Sequence, residues 1–107
     1  MQLKLLAVYG TLRGKENILK TERLEGFEMF SLGGFPMIIP NDNESVVIDI
    51  MNITDDELRR YDRYESVPNL YTREIVKTSL GNTYIYVPTI QTQQREKEKV
   101  EGGDWLK

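Results

Sequence analysis

Leu3 to Tyr9 is a short, mostly apolar run, the pattern of a buried strand. It ends in Gly10-Thr11-Leu12-Arg13-Gly14, where glycines bracket a tight polar turn. Glu16 to Leu24 has weak periodicity and is assigned a brief helical stretch. Glu25 to Leu32 reads as a second strand closed by Gly33-Gly34. Phe35 to Pro40 is apolar but carries Pro36 and Pro40, which suits an edge or a pocket wall better than a central strand. Asn41 to Glu44 predicts a turn, and the β-branched Ser45 to Ile53 a central strand. Thr54 with Glu57 three residues on has capping-box spacing, which satisfies two orphan backbone N–H groups and starts a helix. That helix is expected from about Asp55 to about Glu65, stopping before Pro68. Leu70 to Thr78, a Gly81-Asn82 turn and Thr83 to Val87 predict a hairpin. Beyond Thr89 the chain is polar as far as Gly102-Gly103-Asp104-Trp105-Leu106, where Trp105 is placed to anchor the tail to the body.

Several strands with one or two helices predict an α+β domain on a small, mixed, mainly antiparallel sheet able to curl into a β-barrel. No repeat or boundary interrupts the chain, so residues 1–107 are expected to form a single domain with a polar C-terminal tail from about residue 90.

Composition narrows the chemistry. Hydrophobic residues make up 39% and charged residues 29% of the 107, both in the globular range. No apolar run approaches the roughly 20 residues of a membrane helix, and Met1 to Tyr9 lacks the features of a signal peptide; the expectation is a cytoplasmic protein with no membrane partner. Fourteen basic residues against seventeen acidic leave a charge of −3, with the basic ones scattered, a poor footprint for nucleic acid. There is no cysteine and no histidine, which excludes disulfides, zinc–thiolate sites, cysteine nucleophiles, Ser-His-Asp triads and His-ligated metals. Catalysis, if any, falls to carboxylates, Lys, Tyr, Arg, hydroxyls or the backbone.

On the expected helix, steps of ~100° put Leu58, Tyr61 and Glu65 on one face, with Asp62 at its border and Arg59, Arg60 and Arg63 elsewhere. A carboxylate on the core-facing stripe would be desolvated and its pKa raised, as a general acid/base requires. Periodicity alone favours the plainer reading, a solvated Glu65 at a helix end. An Asp62–Glu65 metal pair has the spacing, but carboxylates three residues apart are common by chance. The Gly10-Thr11-Leu12 turn could present successive N–H groups to an anion or a carbonyl oxygen; a plain strand-to-loop turn is the competing reading, and no nucleotide phosphate loop is present. The six tyrosines read as core or rim residues.

These segments together carry a resemblance. Val8-Tyr9-Gly10-Thr11-Leu12-Arg13 resembles the YG[ST]L signature of γ-glutamyl cyclotransferase-like proteins, and Gly34 to Pro40 their GYPA-type segment. Thr54 to Glu65 resembles the helix ending in LDxYEG, Tyr71-Thr72-Arg73 the downstream YxR, and Gly102-Gly103-Asp104-Trp105 the C-terminal GDW. The length is similar to the small branch that includes γ-glutamylamine cyclotransferases and AIG2-like proteins. The resemblance implies a small mixed barrel with a pocket at its mouth, Glu65 as the catalytic acid/base, and Tyr9, Gly10, Thr11 and Leu12 as the substrate-binding loop. It implies an enzyme whose substrate, a γ-glutamyl compound, cyclises by attack of its own α-amino group on the γ-carbonyl. The products would be 5-oxoproline and an amine or amino acid, with no metal or cofactor required. Three positions depart from the family pattern: Ile48 stands where Gly usually precedes the acidic residue, Ser66 where Gly follows the glutamate, and Ile18 follows Asn17. Ile48 is expected to narrow or reshape the pocket wall. Two other readings stand beside the enzyme: a binding protein that keeps the pocket without turnover, and an interaction module using Gln91 to Gly103.

Overall fold

The structure, a computed structural model, describes residues 3–10, 13–14 and 17–106. Six strands form one curled sheet: β1 (Lys4–Val8), β2 (Ile18–Leu32), β3 (Phe35–Ile53), β4 (Tyr71–Thr78), β5 (Gly81–Pro88) and β6 (Glu98–Lys99). Helix α1 (Asp55–Tyr64) follows β3, and the four-residue α2 (Ile90–Gln93) follows β5. The strand order is β4-β5-β1-β3-β2-β6. β1 runs parallel to β5, and every other pairing is antiparallel. The expected α+β class with a small mixed, mainly antiparallel sheet is what forms, curled as a half-barrel with β4 and β6 at its edges. No helix among the described residues is long and apolar enough to cross a membrane.

The apolar run of β1 is explained by its position, since both its faces are covered. Leu6 and Val8 join Met37, Met51, Ile53 and Leu58 beneath α1, whereas Ala7 and Tyr9 join Val46, Ile48, Ile50 and Ile85 on the other face. Successive side chains of a strand point to opposite faces, so a strand buried twice has no polar alternation. Helix α1 begins as its spacing predicts: Thr54 accepts from the Glu57 N–H, and the Glu57 carboxylate accepts from the Thr54 N–H at 2.9 Å. It buries Leu58, with Tyr61 packed alongside.

Three expectations need correction. Residues 18–24 are not helical: they pair along β3 from Ile18↔Met51 to Leu24↔Val46, and this long-range ladder overrides the weak local preference. Asn41–Glu44 does not reverse the chain. The ladder passes from Phe27↔Pro40 to Glu25↔Ser45, so these four residues bulge opposite Gly26, whose φ of 95° only glycine adopts readily. The Asn-Asp-Asn signal is satisfied inside that bulge, where the Asn41 side chain accepts from the Asn43 N–H at 3.0 Å. The hairpin turn lies on Ser79-Leu80, not Gly81-Asn82, because Thr78 pairs directly with Gly81. The Phe35–Pro40 segment pairs with β2 alone, as an edge segment would, although it continues into the doubly paired part of β3.

Candidate active site

Several elements, among them β4 with Tyr71 and β5 with Tyr86, meet around a cavity of about 750 Å3. Tyr9 and Gly10 follow β1, the β2–β3 hairpin brings Leu32, Phe35 and Pro36, Tyr64 ends α1 with Glu65 as its C-cap, and the C-terminal segment brings Thr92, Arg95 and Glu96. The structure thus gathers Glu65, Tyr9 and Gly10 around one cavity. Thr11 and Leu12 lie outside the described residues.

Glu65 is the C-cap of α1, and its backbone N–H still donates to Tyr61 at 2.8 Å. Its carboxylate is half-buried and receives no hydrogen bond or ion pair from any described side chain. Burial pushes its pKa up from 4.5 to about 7. Ser66 follows with φ of 55°, a left-handed conformation that a side chain disfavours, which explains why glycine suits this position.

Tyr9, Tyr71 and Tyr86 surround this carboxylate as donors already committed. Tyr9 donates to the Tyr86 carbonyl at 2.6 Å, Tyr71 to the Pro36 carbonyl at 3.0 Å, and Tyr86 to Asp62 Oδ1 at 2.7 Å. Burial pushes all three phenols up: Tyr9 well above its ordinary value with Tyr71 and Glu65 adding to the effect, Tyr71 to about 12, and Tyr86 further still with Asp62 reinforcing. They are neutral walls at physiological pH, and Glu65 is the carboxylate beside them whose pKa burial moves into the physiological range. Asp62 also takes Arg73 at 2.8 Å, so its oxygens are engaged away from Glu65. Among the described residues no group of three or more His, Cys, Asp or Glu could hold a metal ion.

The turn after β1 is fixed from behind. A side chain at Gly10 would come within 2.5 Å of Pro36 Cγ, so the close approach of β1 to the hairpin needs glycine. The Arg13 N–H donates to the Gly10 carbonyl at 3.0 Å and closes the turn. Asp49 Oδ2 accepts from the Gly14 N–H at 2.8 Å, and its Oδ1 accepts from the Thr21 hydroxyl at 2.6 Å. The Arg13 side chain, 7% exposed, donates to Asp104 Oδ1 at 2.6 Å and lies 3.5 Å from Asp49 Oδ1. Its Nε has no hydrogen-bond partner, so Asp49 attracts it by charge alone while Asp104 supplies the hydrogen bond. Gly103 fits against β3, where a Cβ would collide with the Ser45 carbonyl.

Sequence reasoning did not anticipate the Arg13–Asp49–Asp104 cluster, although Arg13 and Asp104 stand in segments that carry the resemblance; opposite charges inside separate signatures were the available signal. Arg95 gave none, being one cation in a polar stretch. Ile48 does not narrow the pocket: it is fully buried in the core opposite Glu22 and outside the cavity lining, because its strand turns Asp49, not Ile48, toward the loop. Residues 90–103 are not a free tail, for β6 pairs with β2 and Thr92 is buried at the cavity. Trp105 packs on the core, as expected.

Comparison with known proteins follows the same outline. The profile of the family described as Gamma-glutamyl cyclotransferase, AIG2-like, matches residues 6–107. A Vibrio cholerae serotype O1 protein that carries the provisional name gamma-glutamylcyclotransferase is 30% identical over 111 residues, covering 94% of this chain and 94% of that protein. Among solved structures, the uncharacterized protein PH0828 of Pyrococcus horikoshii shares the fold at a TM-score of 0.80 and 17% identity, covering 95% of this chain and 89% of that one. A gamma-glutamyl cyclotransferase shares it at a TM-score of 0.64 and 18% identity, over 92% of this chain and 70% of that one.

Proposed function

The chain belongs to the γ-glutamyl cyclotransferase, AIG2-like family, and from that premise we propose that it cyclises a γ-glutamyl compound to 5-oxoproline, with Glu65 moving the proton. The observation that carries this reading is the Glu65 carboxylate, half-buried, unpaired by any described side chain and pushed up to about 7, in one cavity with Tyr9 and Gly10.

The reaction joins the substrate's α-nitrogen to its γ-carbonyl carbon and breaks the bond from that carbon to the departing nitrogen. Glu65, as carboxylate, takes a proton from the α-ammonium, freeing the lone pair for attack; the resulting acid returns that proton to the departing nitrogen, and the second proton shed by the ring nitrogen ends on the released amine as ammonium. Attack is intramolecular, so a pocket that holds the folded conformer supplies much of the acceleration. Backbone N–H groups of the Tyr9, Gly10, Thr11, Leu12 loop are the candidate donors to the oxyanion and the substrate carboxylate. The three phenols donate to protein acceptors and so leave the Glu65 carboxylate without a phenolic partner.

The test follows 5-oxoproline release from a panel of γ-glutamyl amines and amino acids with the native chain and Glu65→Gln. Gln keeps the size but cannot relay a proton, and a loss of about 10²–10⁴-fold is expected. Undiminished release by Glu65→Gln would remove Glu65 from the chemistry. Binding of panel members without any release would favour a capture protein instead.

A further inference from the structure

Exposure divides the cavity lining into a floor and a mouth. Tyr9, Tyr71, Tyr86 and Thr92 are buried, whereas Phe35 is 63% exposed, Tyr64 61% and Leu70 42%, although all line the same cavity. These water-facing apolar side chains come from separate places in the chain: the start of β3, the end of α1 and the residue before β4. Their convergence leaves an apolar rim whose covering by a ligand would be favourable. Arg95 stands on that rim, exposed, and is the one Lys or Arg among the described lining residues. Its guanidinium makes no hydrogen bond or ion pair with a described residue, yet its charge reaches the pocket and pulls against the rise at Tyr71. The cavity volume of about 750 Å3 falls among pockets of roughly 300–1,000 Å3 that enclose drug-sized ligands, leaving room beyond a γ-glutamyl group.

Resting on the cyclotransferase reading above, we propose that this mouth is a leaving-group subsite for apolar α-amino acids: Phe35, Tyr64 and Leu70 cover the side chain, and Arg95 pairs with the carboxylate. Linking an amino acid through its amine to a γ-glutamyl group removes its positive charge and leaves one anion beside its side chain. One cation among apolar faces complements that pattern. A simple amine offers no anion and leaves Arg95 unanswered. Glu96, beside Arg95 on the same rim, repels a second carboxylate, so acidic leaving groups are disfavoured.

The experiment compares γ-glutamyl-leucine with γ-glutamyl-leucinamide, which has the same shape without the charge. It measures 5-oxoproline release by the native chain and Arg95→Gln, and calorimetric binding in the Glu65→Gln background. The native chain should prefer the acid by about fivefold, the size expected of a solvent-exposed pair. Arg95→Gln should lose on the acid only and bring the ratio near one, as should added salt. Phe35→Ser should weaken γ-glutamyl-leucine more than γ-glutamyl-glycine. Equal loss on acid and amide would assign Arg95 to the glutamyl carboxylate that both share, and no loss on either would leave it a bystander; each result overturns the subsite. If the acid binds preferentially through Arg95 but no 5-oxoproline appears, the subsite stands and the cyclotransferase reading falls.

Discussion

Glu65 and Asp49 both lie beside the Tyr9–Gly14 segment, both largely withdrawn from water, and their surroundings differ in almost every other respect. Asp49 accepts from the Gly14 N–H and the Thr21 hydroxyl and faces the Arg13 guanidinium. Glu65 has no described side-chain partner and faces a cavity walled by phenols that donate elsewhere. Burial with no partner to offset it raises the Glu65 pKa, whereas Asp49 is tied to its donors. Burial by itself therefore does not make a proton carrier; burial without partners does. One carboxylate holds the loop, and the other has no described side chain to hold it.

The largest expected effect separates chemistry from stability. Glu65→Gln should lower kcat for 5-oxoproline release by at least about 10²-fold, while thermal unfolding shows a midpoint unchanged or higher, because a poorly solvated carboxylate is replaced by a neutral amide. A fall in both would mean that Glu65 is structural after all. Asp49→Ala should do the reverse, costing about 3 kcal/mol in denaturant unfolding by stripping a buried guanidinium of one of its anions. Retained stability there would show that Asp104 alone suffices for Arg13.

A smaller effect concerns pH. With Glu65 at about 7 in the folded chain against 4.5 for the free group, the folded state holds the extra proton between those values. That contribution to stability is complete below about pH 4.5 and is lost as pH rises through 7. Glu65→Gln should lack this component, which unfolding curves of both proteins across pH 4–8 would reveal as a difference in slope. The rate should move the other way, rising through about pH 7 as the carboxylate form becomes available. The smallest expected change is Ser66→Gly, which relieves a left-handed side-chain conformation next to Glu65 and should raise stability by under about 1 kcal/mol, since glycine is the more flexible residue when unfolded.

What could be read from the chain was what depends on near neighbours. The doubly covered β1, the Thr54–Glu57 box and the Tyr71–Pro88 hairpin each follow from residues a few positions apart. Residues 18–24 could not be read so, because their strand exists through pairing with residues 46–51. The bulge at Asn41–Glu44 gave a true local turn signal whose meaning depended on Gly26 across the ladder. At the site, periodicity put Glu65 on the buried stripe but favoured solvation, and the family signatures supplied the opposite weight; the surrounding phenols gave the cavity its desolvating wall only once β1, β4 and β5 were assembled. Arg13 and Asp104 stood in signatures at opposite ends of the chain, and nothing local indicated that they meet.

The Arg13–Asp104 bond spans 91 positions, and this has a bearing on how the molecule is made. While the chain is being synthesised, Arg13 emerges early and has only Asp49 to answer it until residue 104 is released. Closing so long a loop is entropically unfavourable and rewarded late, so the bond belongs to the final stages of folding. The loop proposed to hold substrate is then fully braced only after the body has formed, and a ribosome stalled before residue 104 would display a nascent chain whose pocket is unfinished.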